Sequence, residues 1–404
     1  MESEAQQESV GRGFLPTMVI VFFAITISNV ILSLISLDVA KTFFPQSFAA
    51  GTTAAVHNAA VGRVISQVGA VNSAFEVIIA IAMTAVTNRV RYKPMLLSGV
   101  VLLVCSAIGC YLAEDFLTFQ ISFALEGAAT VMVGVTGMSM IGDYLPQNKK
   151  ARTIGYTIAI PALTTVIVSR LFATSITKIG GWQLNFLFII LPFAVLGLAL
   201  SAIAVPMQPI KKSIKHAYKQ VFTNKSAILC IIGIALLGAQ VMGNFALPFY
   251  RQQLSLSLDD AATIQAVAAF MYFVAALVIG RLVIRTGAKL LAIICLAGNG
   301  VFTMIFFFMP SALIAVPLDM THVWFNAAAV TAIAALVLDQ VPQYRGTMMS
   351  MRSIVLNAGA ALGSFVGGYL LIAFGTYEAV GIVIGIMSIA AAAVLLAVKD
   401  TSRG

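Results

Sequence analysis

The chain has 404 residues, 60% of them hydrophobic and 10% charged, with a mean hydropathy of +0.99 and a formal net charge of +9. So much apolar surface cannot be hidden from water, which excludes a soluble enzyme or binding module and makes lipid the solvent. The basic residues sit in short segments between apolar runs, so the positive charge reads as membrane topology rather than as a nucleic-acid surface.

Residues 1–13 carry Glu2, Glu4 and Glu8 against Arg12. This segment lacks the basic start of a signal peptide, and the apolar run behind it is too long for a cleavable one, so it is expected to stay on the protein. Six spans are predicted in the first half, at 14–37, 64–86, 95–113, 117–141, 151–175 and 183–205. The loop 38–63 is rich in Ala, Thr and Gly, and part of it is expected to extend span 2. A basic linker with two prolines, 206–225, is predicted to lie along the inner membrane surface. Six more spans follow at 226–248, 261–284, 289–309, 313–338, 346–372 and 379–397. The expected class is therefore an all-α membrane protein of twelve transmembrane helices. Residues 1–205 form an N-terminal six-helix bundle, and 226–404 a C-terminal one.

With an even number of spans both termini share one side. Placing them in the cytoplasm gathers Arg89, Arg91, Lys93, Lys149, Lys150, Arg152, the linker lysines, Arg281, Arg285, Lys289, Arg345 and Arg352 on the inner face. Only Lys41, Arg63, Lys178 and Arg251 are left outside. This bias predicts an integral plasma (inner) membrane protein with cytoplasmic termini. Cys105, Cys110, Cys230 and Cys295 all fall inside apolar runs, so they read as small buried thiols, and no disulfide, metal site or cofactor is expected.

Two motifs recur at one offset. Asn88-Arg89-Val90-Arg91-Tyr92-Lys93 and Ile284-Arg285-Thr286-Gly287-Ala288-Lys289 lie 196 residues apart, as do Asp143-Tyr144-Leu145-Pro146-Gln147 and Asp339-Gln340-Val341-Pro342-Gln343. The chain thus reads as two copies of one membrane unit, an arrangement used by secondary transporters. Polar residues at helical spacing mark the spans that cannot face lipid. They are Thr26, Asn29, Ser33 and Ser36 in span 1, Asn72 and Glu76 in span 2, and Ser122, Glu126 and Thr130 in span 4. In the second half they are Gln240, Asn244 and Arg251 in or just beyond span 7, Gln265 and Tyr272 in span 8, Asp319, His322 and Asn326 in span 10, and Ser353, Asn357 and Ser364 in span 11. Spans 3, 6 and 12 are nearly apolar all round and can face lipid.

This pattern resembles the major facilitator superfamily over essentially the whole chain. That family carries Gly-x-x-x-Asp-Arg-x-Gly-Arg-Lys after spans 2 and 8. The second copy here keeps Gly280, Arg285, Gly287 and Lys289, with Ile284 in place of the Asp; the first has Thr84, Asn88 and Arg91 at the first Gly, the Asp and the second Gly. An acidic residue, a proline and a basic residue follow spans 4 and 10 as Asp143, Pro146, Lys149 and as Asp339, Pro342, Arg345. The resemblance implies that these loops latch an inner gate, with Arg89, Lys93, Asp143, Arg152, Arg285, Lys289, Asp339 and Arg345 as the gating residues. It also implies two halves that rock about a central site in alternating access.

The 196-residue offset maps Glu76 onto Tyr272 and Glu126 onto His322. A carboxylate at mid-membrane must be paired, hydrated or protonated, and histidine titrates near neutrality, so Glu76, Glu126, Asp319 and His322 are the predicted coupling and substrate region. Asn29, Asn72, Gln240, Asn244 and Tyr272 join them. Asp319 and His322 also fit an outer-surface pair. Arg170 either snorkels outward, pairs with Glu126 or holds a substrate anion. Tyr272, Trp324 and Phe245 are possible walls, and Gly359, Gly363 and Gly367 read as close helix packing.

The expected function is proton-coupled efflux of an amphiphilic compound or metabolite by a monomer, its partners being substrate, protons and lipid but no nucleic acid. Span 5 keeps only Pro161 of the exporter pattern Gly-x-x-x-Gly-Pro-x-x-Gly-Gly. Uptake of an organic anion, attracted by Arg170 and His322, is the alternative. A polytopic membrane enzyme is remote, since no catalytic motif is present.

Overall fold

The computed structural model describes residues 2–86, 90–144, 147–178, 181–205, 222–341 and 345–399. The first half holds α1 (Glu2–Phe43), α2 (Ala54–Val64), α3 (Ala70–Val86), α4 (Tyr92–Tyr111), α5 (Phe116–Tyr144), α6 (Gln147–Lys178) and α7 (Leu191–Ala204). The second holds α8 (Lys225–Gly238), α9 (Met242–Gln252), α10 (Leu258–Thr286), α11 (Ala288–Phe306), α12 (Ala312–Gln340), α13 (Arg345–Phe374) and α14 (Tyr377–Leu396). No strand occurs among the described residues. Among the described residues eleven stretches are long and apolar enough to cross a bilayer, and the shorter apolar helix Ile160–Ile176 stands at predicted span 5, so each of the twelve expected spans has a helix.

Span 2 is extended as its sequence suggested. A widened turn at Ile65–Gly69 joins α2 to α3 without a break, and the apolar stretch runs Ala54–Met83. A second widened turn, Phe186–Ile190, leads into α7. Span 7 instead breaks: α8 ends at Gly238 and α9 begins at Met242.

Local chemistry sets the helix ends. Asn224 accepts hydrogen bonds from the Ser226 and Ala227 amides at the start of α8. Ser257 does the same for the Asp260 amide, with Asp259 and Asp260 in the first turn of α10, where the helix dipole favours acids. Asp115 accepts from the Thr118 amide at 2.8 Å and hydroxyl at 2.6 Å at the start of α5, and these bonds hold its carboxyl below the usual range. The second repeat motif needs its glycine for the same kind of reason. Gly287 alone links α10 to α11 at φ 88°, a conformation that side-chain-bearing residues rarely adopt.

The helices form two compact units, one of residues 1–32 with 75–213 and the other of residues 33–74 with 214–404. In the first, α4 packs closely on α5, where Gly99 lies against Met132 and Val133 and Gly109 against Ser122. Trp182 sits edge-on to Phe119 and Phe186, with centroids 5.0 and 6.2 Å away. In the second, α8, α11, α12, α13 and α14 share an apolar core that includes Ile234, Leu237, Leu296, Ile333, Leu336 and Leu395. Gly359 and Gly363 press the α13 backbone onto the Ala235 carbonyl of α8 and the carbonyl of Ala239 just past its end, and Gly367 accommodates the Phe245 ring. The same unit takes in the far ends of spans 1 and 2: Gly62 of α2 lies directly against the backbone of Gly368.

Candidate functional site

In the first unit, α3 and α5 bring two buried carboxyls together. Glu126 is 1% exposed and Glu76 8%, and each lies within range of the other's charge. Glu126 accepts a hydrogen bond from Thr130, one turn along α5, at 2.8 Å. Glu76 has no hydrogen bond among the described residues. Like charges in a low-dielectric setting repel, and protonation of either acid relieves the repulsion. Asn72, one turn before Glu76 on span 2, is also buried.

In the second unit the broken span 7 builds a polar chain. Gln240 lies in the gap between α8 and α9, and its amide nitrogen is 3.0 Å from the Thr303 hydroxyl and 2.8 Å from His322 Nε2. With the amide nitrogen donating, Nε2 accepts and the imidazole proton falls to Nδ1, the roles on the ring depending on its tautomer. That atom is 3.7 Å from Asp319 Oδ1. Asp319 in turn accepts from the Tyr250 hydroxyl at 3.0 Å. At the other end Thr303 donates to the Asn299 carbonyl at 2.8 Å, and Asn299 donates to Ser388 at 3.1 Å. His322 Nδ1 and Gln240 Oε1 are both sealed without a hydrogen-bond partner. If Nε2 gains a proton, this amide must turn and present its oxygen, so the protonation state of His322 is tied to the orientation of Gln240. Asp319 and His322 are buried, at 6% and 3% exposure.

The same unit contains contacts that sequence spacing gave no hint of. Arg251, at the end of α9, donates to both carboxylate oxygens of Asp38, at 2.7 and 3.1 Å, and to the Leu34 carbonyl at 3.2 Å. Gln265 of α10 donates to Ser33 at 3.1 Å, and Asn58 of α2 to the Gly375 carbonyl at 2.8 Å. Together these bind the segment around residues 33–62 to α9, α10 and the turn between α13 and α14. Asn244 donates to Ser364 at 3.2 Å.

The repeated basic motifs have a shared structural role. Lys93 donates to the Ala202 carbonyl at 2.6 Å, and Lys289, 196 positions later, donates to the Leu396 carbonyl at 2.8 Å. Each closes the C-terminal end of the last helix of its half, where carbonyls lack helical partners. Arg285 is exposed. Arg89 and the side chains of Asn29, Asp143, Arg152, Asp339 and Arg345 lie outside the described residues.

Arg170 is exposed on α6, Trp324 is half-buried on α12, and Phe245 is fully buried against Gly367. Tyr272 is half-buried on α10. Arg352 lies seven residues inside α13 and within electrostatic range of the Tyr272 hydroxyl. Its type was the available signal; a count of loop charges absorbed it.

A family model described as Major Facilitator Superfamily matches residues 14–312 and 229–404. Among solved structures, the chain is similar to a D-xylose-proton symporter, with 15% identity, TM-score 0.77, and coverage of 97% of this chain and 98% of that one. It is also similar to a bacterial homolog of the human lysosomal transporter Spinster, in inward-facing unoccupied and occupied conformations. Both comparisons have 14% identity and cover 96% of each chain, with TM-scores of 0.74 and 0.76. At such identities the likeness is one of fold. No curated protein matches the chain in sequence.

Proposed function

Because the chain belongs to the major facilitator superfamily, we propose that it is a proton-coupled secondary transporter of a small organic molecule, working by alternating access. The observation that carries this reading is the Glu76–Glu126 pair, two buried acids from α3 and α5 within range of each other's charge. Buried acids within membrane spans are costly and are retained where protons move. In this reading the pair binds a proton on one side of the membrane and releases it on the other. The Asp319–His322–Gln240 chain is the second polar element of this reading.

The halves are taken to be six-helix bundles joined by the basic linker, with the basic loops facing the cytoplasm under the positive-inside rule. The contacts around Asp38 and Arg251 then lie on the outer side. Export of an amphiphile follows from the combination of acids and aromatics; uptake of an organic anion is favoured by a specific observation, the unneutralised guanidinium of Arg352, and is the direction proposed here. Purified protein in liposomes with an imposed pH gradient tests the reading: substrate should accumulate on the alkaline side and leave when a protonophore collapses the gradient. Accumulation that ignores the gradient would rule out proton coupling.

A further inference from the structure

The segment between spans 1 and 2 belongs to one half by sequence and to the other by contact. The duplication places it in the first repeat, yet residues 33–74 group with the second unit, while residues 1–32 and 75–213 form the first. Spans 1 and 2 therefore each pass from one unit into the other. The connection is also longer than its counterpart. Residues 44–53 join α1 to α2, whereas 253–257 suffice between α9 and α10.

This segment has a fold of its own. A short tight turn, Pro45–Phe48, follows α1. The Phe48 ring stacks on His57 with centroids 5.0 Å apart, and His57 Nε2 lies 2.8 Å from the Thr52 hydroxyl. The Arg63 guanidinium stands 5.7 Å from the centre of the Phe44 ring. No residue from Phe44 to His57 is fully buried, so this tip is not part of an apolar core. Its roots are fastened instead. Arg251 grips Asp38 through both carboxylate oxygens, Asn58 donates to the Gly375 carbonyl at 2.8 Å, and Gln265 donates to Ser33 at 3.1 Å. Gly62 meets the Gly368 backbone with no side chain between them, and Ala55 lies against Gly375.

These fastenings can part and re-form. An ion pair and single hydrogen bonds exchange for bonds to water at small net cost. Glycine surfaces meet without interlocking side chains, so they separate without repacking. The widened turn Ile65–Gly69 follows the Gly62 contact directly, and such a turn loosens the helical ladder at one place.

We propose that residues 38–63 form an outer lid. It is seated on α9, α10 and the α13–α14 turn in this structure, and is released by bending at Ile65–Gly69 when the transport path opens outward. It rests on the transporter reading above, to which it adds a moving part.

The test measures a distance in the full chain in lipid nanodiscs. Cys105, Cys110, Cys230 and Cys295 are replaced by Ala. Spin labels are attached through Val56→Cys on the lid and Leu313→Cys at the start of α12, both exposed positions. Pulsed electron resonance should give a short distance for the seated lid and a longer one for the released lid. Arg251→Gln should raise the ratio of long to short at least about tenfold, the scale of a lost charged hydrogen bond. Gly62→Ala, whose methyl group would strike the Gly368 carbonyl, should make the long distance predominate. Asp38→Asn takes its place if that variant does not fold. Gly134→Ala, with open space around it, should leave the ratio as in the parent. A single distance that neither Arg251→Gln nor Gly62→Ala changes, with only the unfolding temperature lowered, would mean a fixed clamp and overturn the lid. The measurement needs no substrate, so it stands apart from the liposome assay. A lid that moves in a protein without gradient-driven transport keeps this proposal and removes the transporter reading; a fixed lid in a protein that transports does the reverse.

Discussion

Arg251 grips Asp38 through two hydrogen bonds, 2.7 and 3.1 Å long, between residues 213 positions apart in the chain. The side chains are 10% and 19% exposed, so the pair is mostly shielded from water. The end of the first span is thereby bound to the end of the seventh. Arg251→Gln should lower the unfolding temperature by an amount equivalent to about 1–3 kcal/mol, since it leaves a shielded carboxylate without its partner. The exchange of the two residues, Asp38→Arg with Arg251→Asp, should recover part of the loss. A double variant as unstable as the two single variants added together would mean that the residues do not act as a pair.

Glu126→Gln keeps shape and hydrogen bonding but cannot release a proton. Accumulation driven by a pH gradient should fall to background, while substrate exchange at equal pH on both sides should persist. Glu76→Gln should weaken gradient coupling in the same direction. The readout is uptake and counterflow of one labelled substrate in liposomes, and full accumulation by Glu126→Gln would take this residue out of the coupling role.

Gln240→Leu removes the donor that holds His322 Nε2 and bonds Thr303. Each buried partner left unsatisfied costs about 1–3 kcal/mol, so a marked fall in unfolding temperature is expected. Gln240→Glu offers oxygen in place of nitrogen and should favour the imidazolium. Nitrogen chemical shifts of a histidine-labelled protein, with His322→Gln as the assignment control, would reveal it; an unchanged His322 signal would contradict the donor assignment made here.

Lys93→Met and Lys289→Met each free one helix-terminal carbonyl. Each change should cost about 0.5–1 kcal/mol, and the two should add, because the contacts lie in different units. Thermal unfolding of both single variants and of the double variant measures this. Two lysines important for a gate alone would instead alter transport rate and leave stability untouched.

Gly363→Ala would place a methyl group onto the Ala239 carbonyl at the C-terminal end of α8. Backbone cannot yield there without separating α8 from α13, so destabilisation of about 1–3 kcal/mol is expected. The same substitution at Gly134, which has open space around it, should be nearly silent and serves as the control.

The spans, their duplication and their family resemblance were legible because each is a local property. Lipid admits only runs of apolar residues with internally bonded backbone, so hydropathy alone marks the helices, and a repeat shows itself as one offset in two motifs. Glu76 and Glu126 could be picked out for the same reason: an acid in an apolar run is conspicuous wherever it folds. Their meeting was not legible, and neither was the grip of Arg251 on Asp38, the contact of Gln240 with His322, or the lack of a partner for Arg352. Those depend on the rotation of each helix about its axis and on how closely small residues such as Gly359, Gly363 and Gly62 let backbones approach. Packing over the whole unit decides these, because a helix turned by a third of a circle carries the same hydropathy but meets different neighbours.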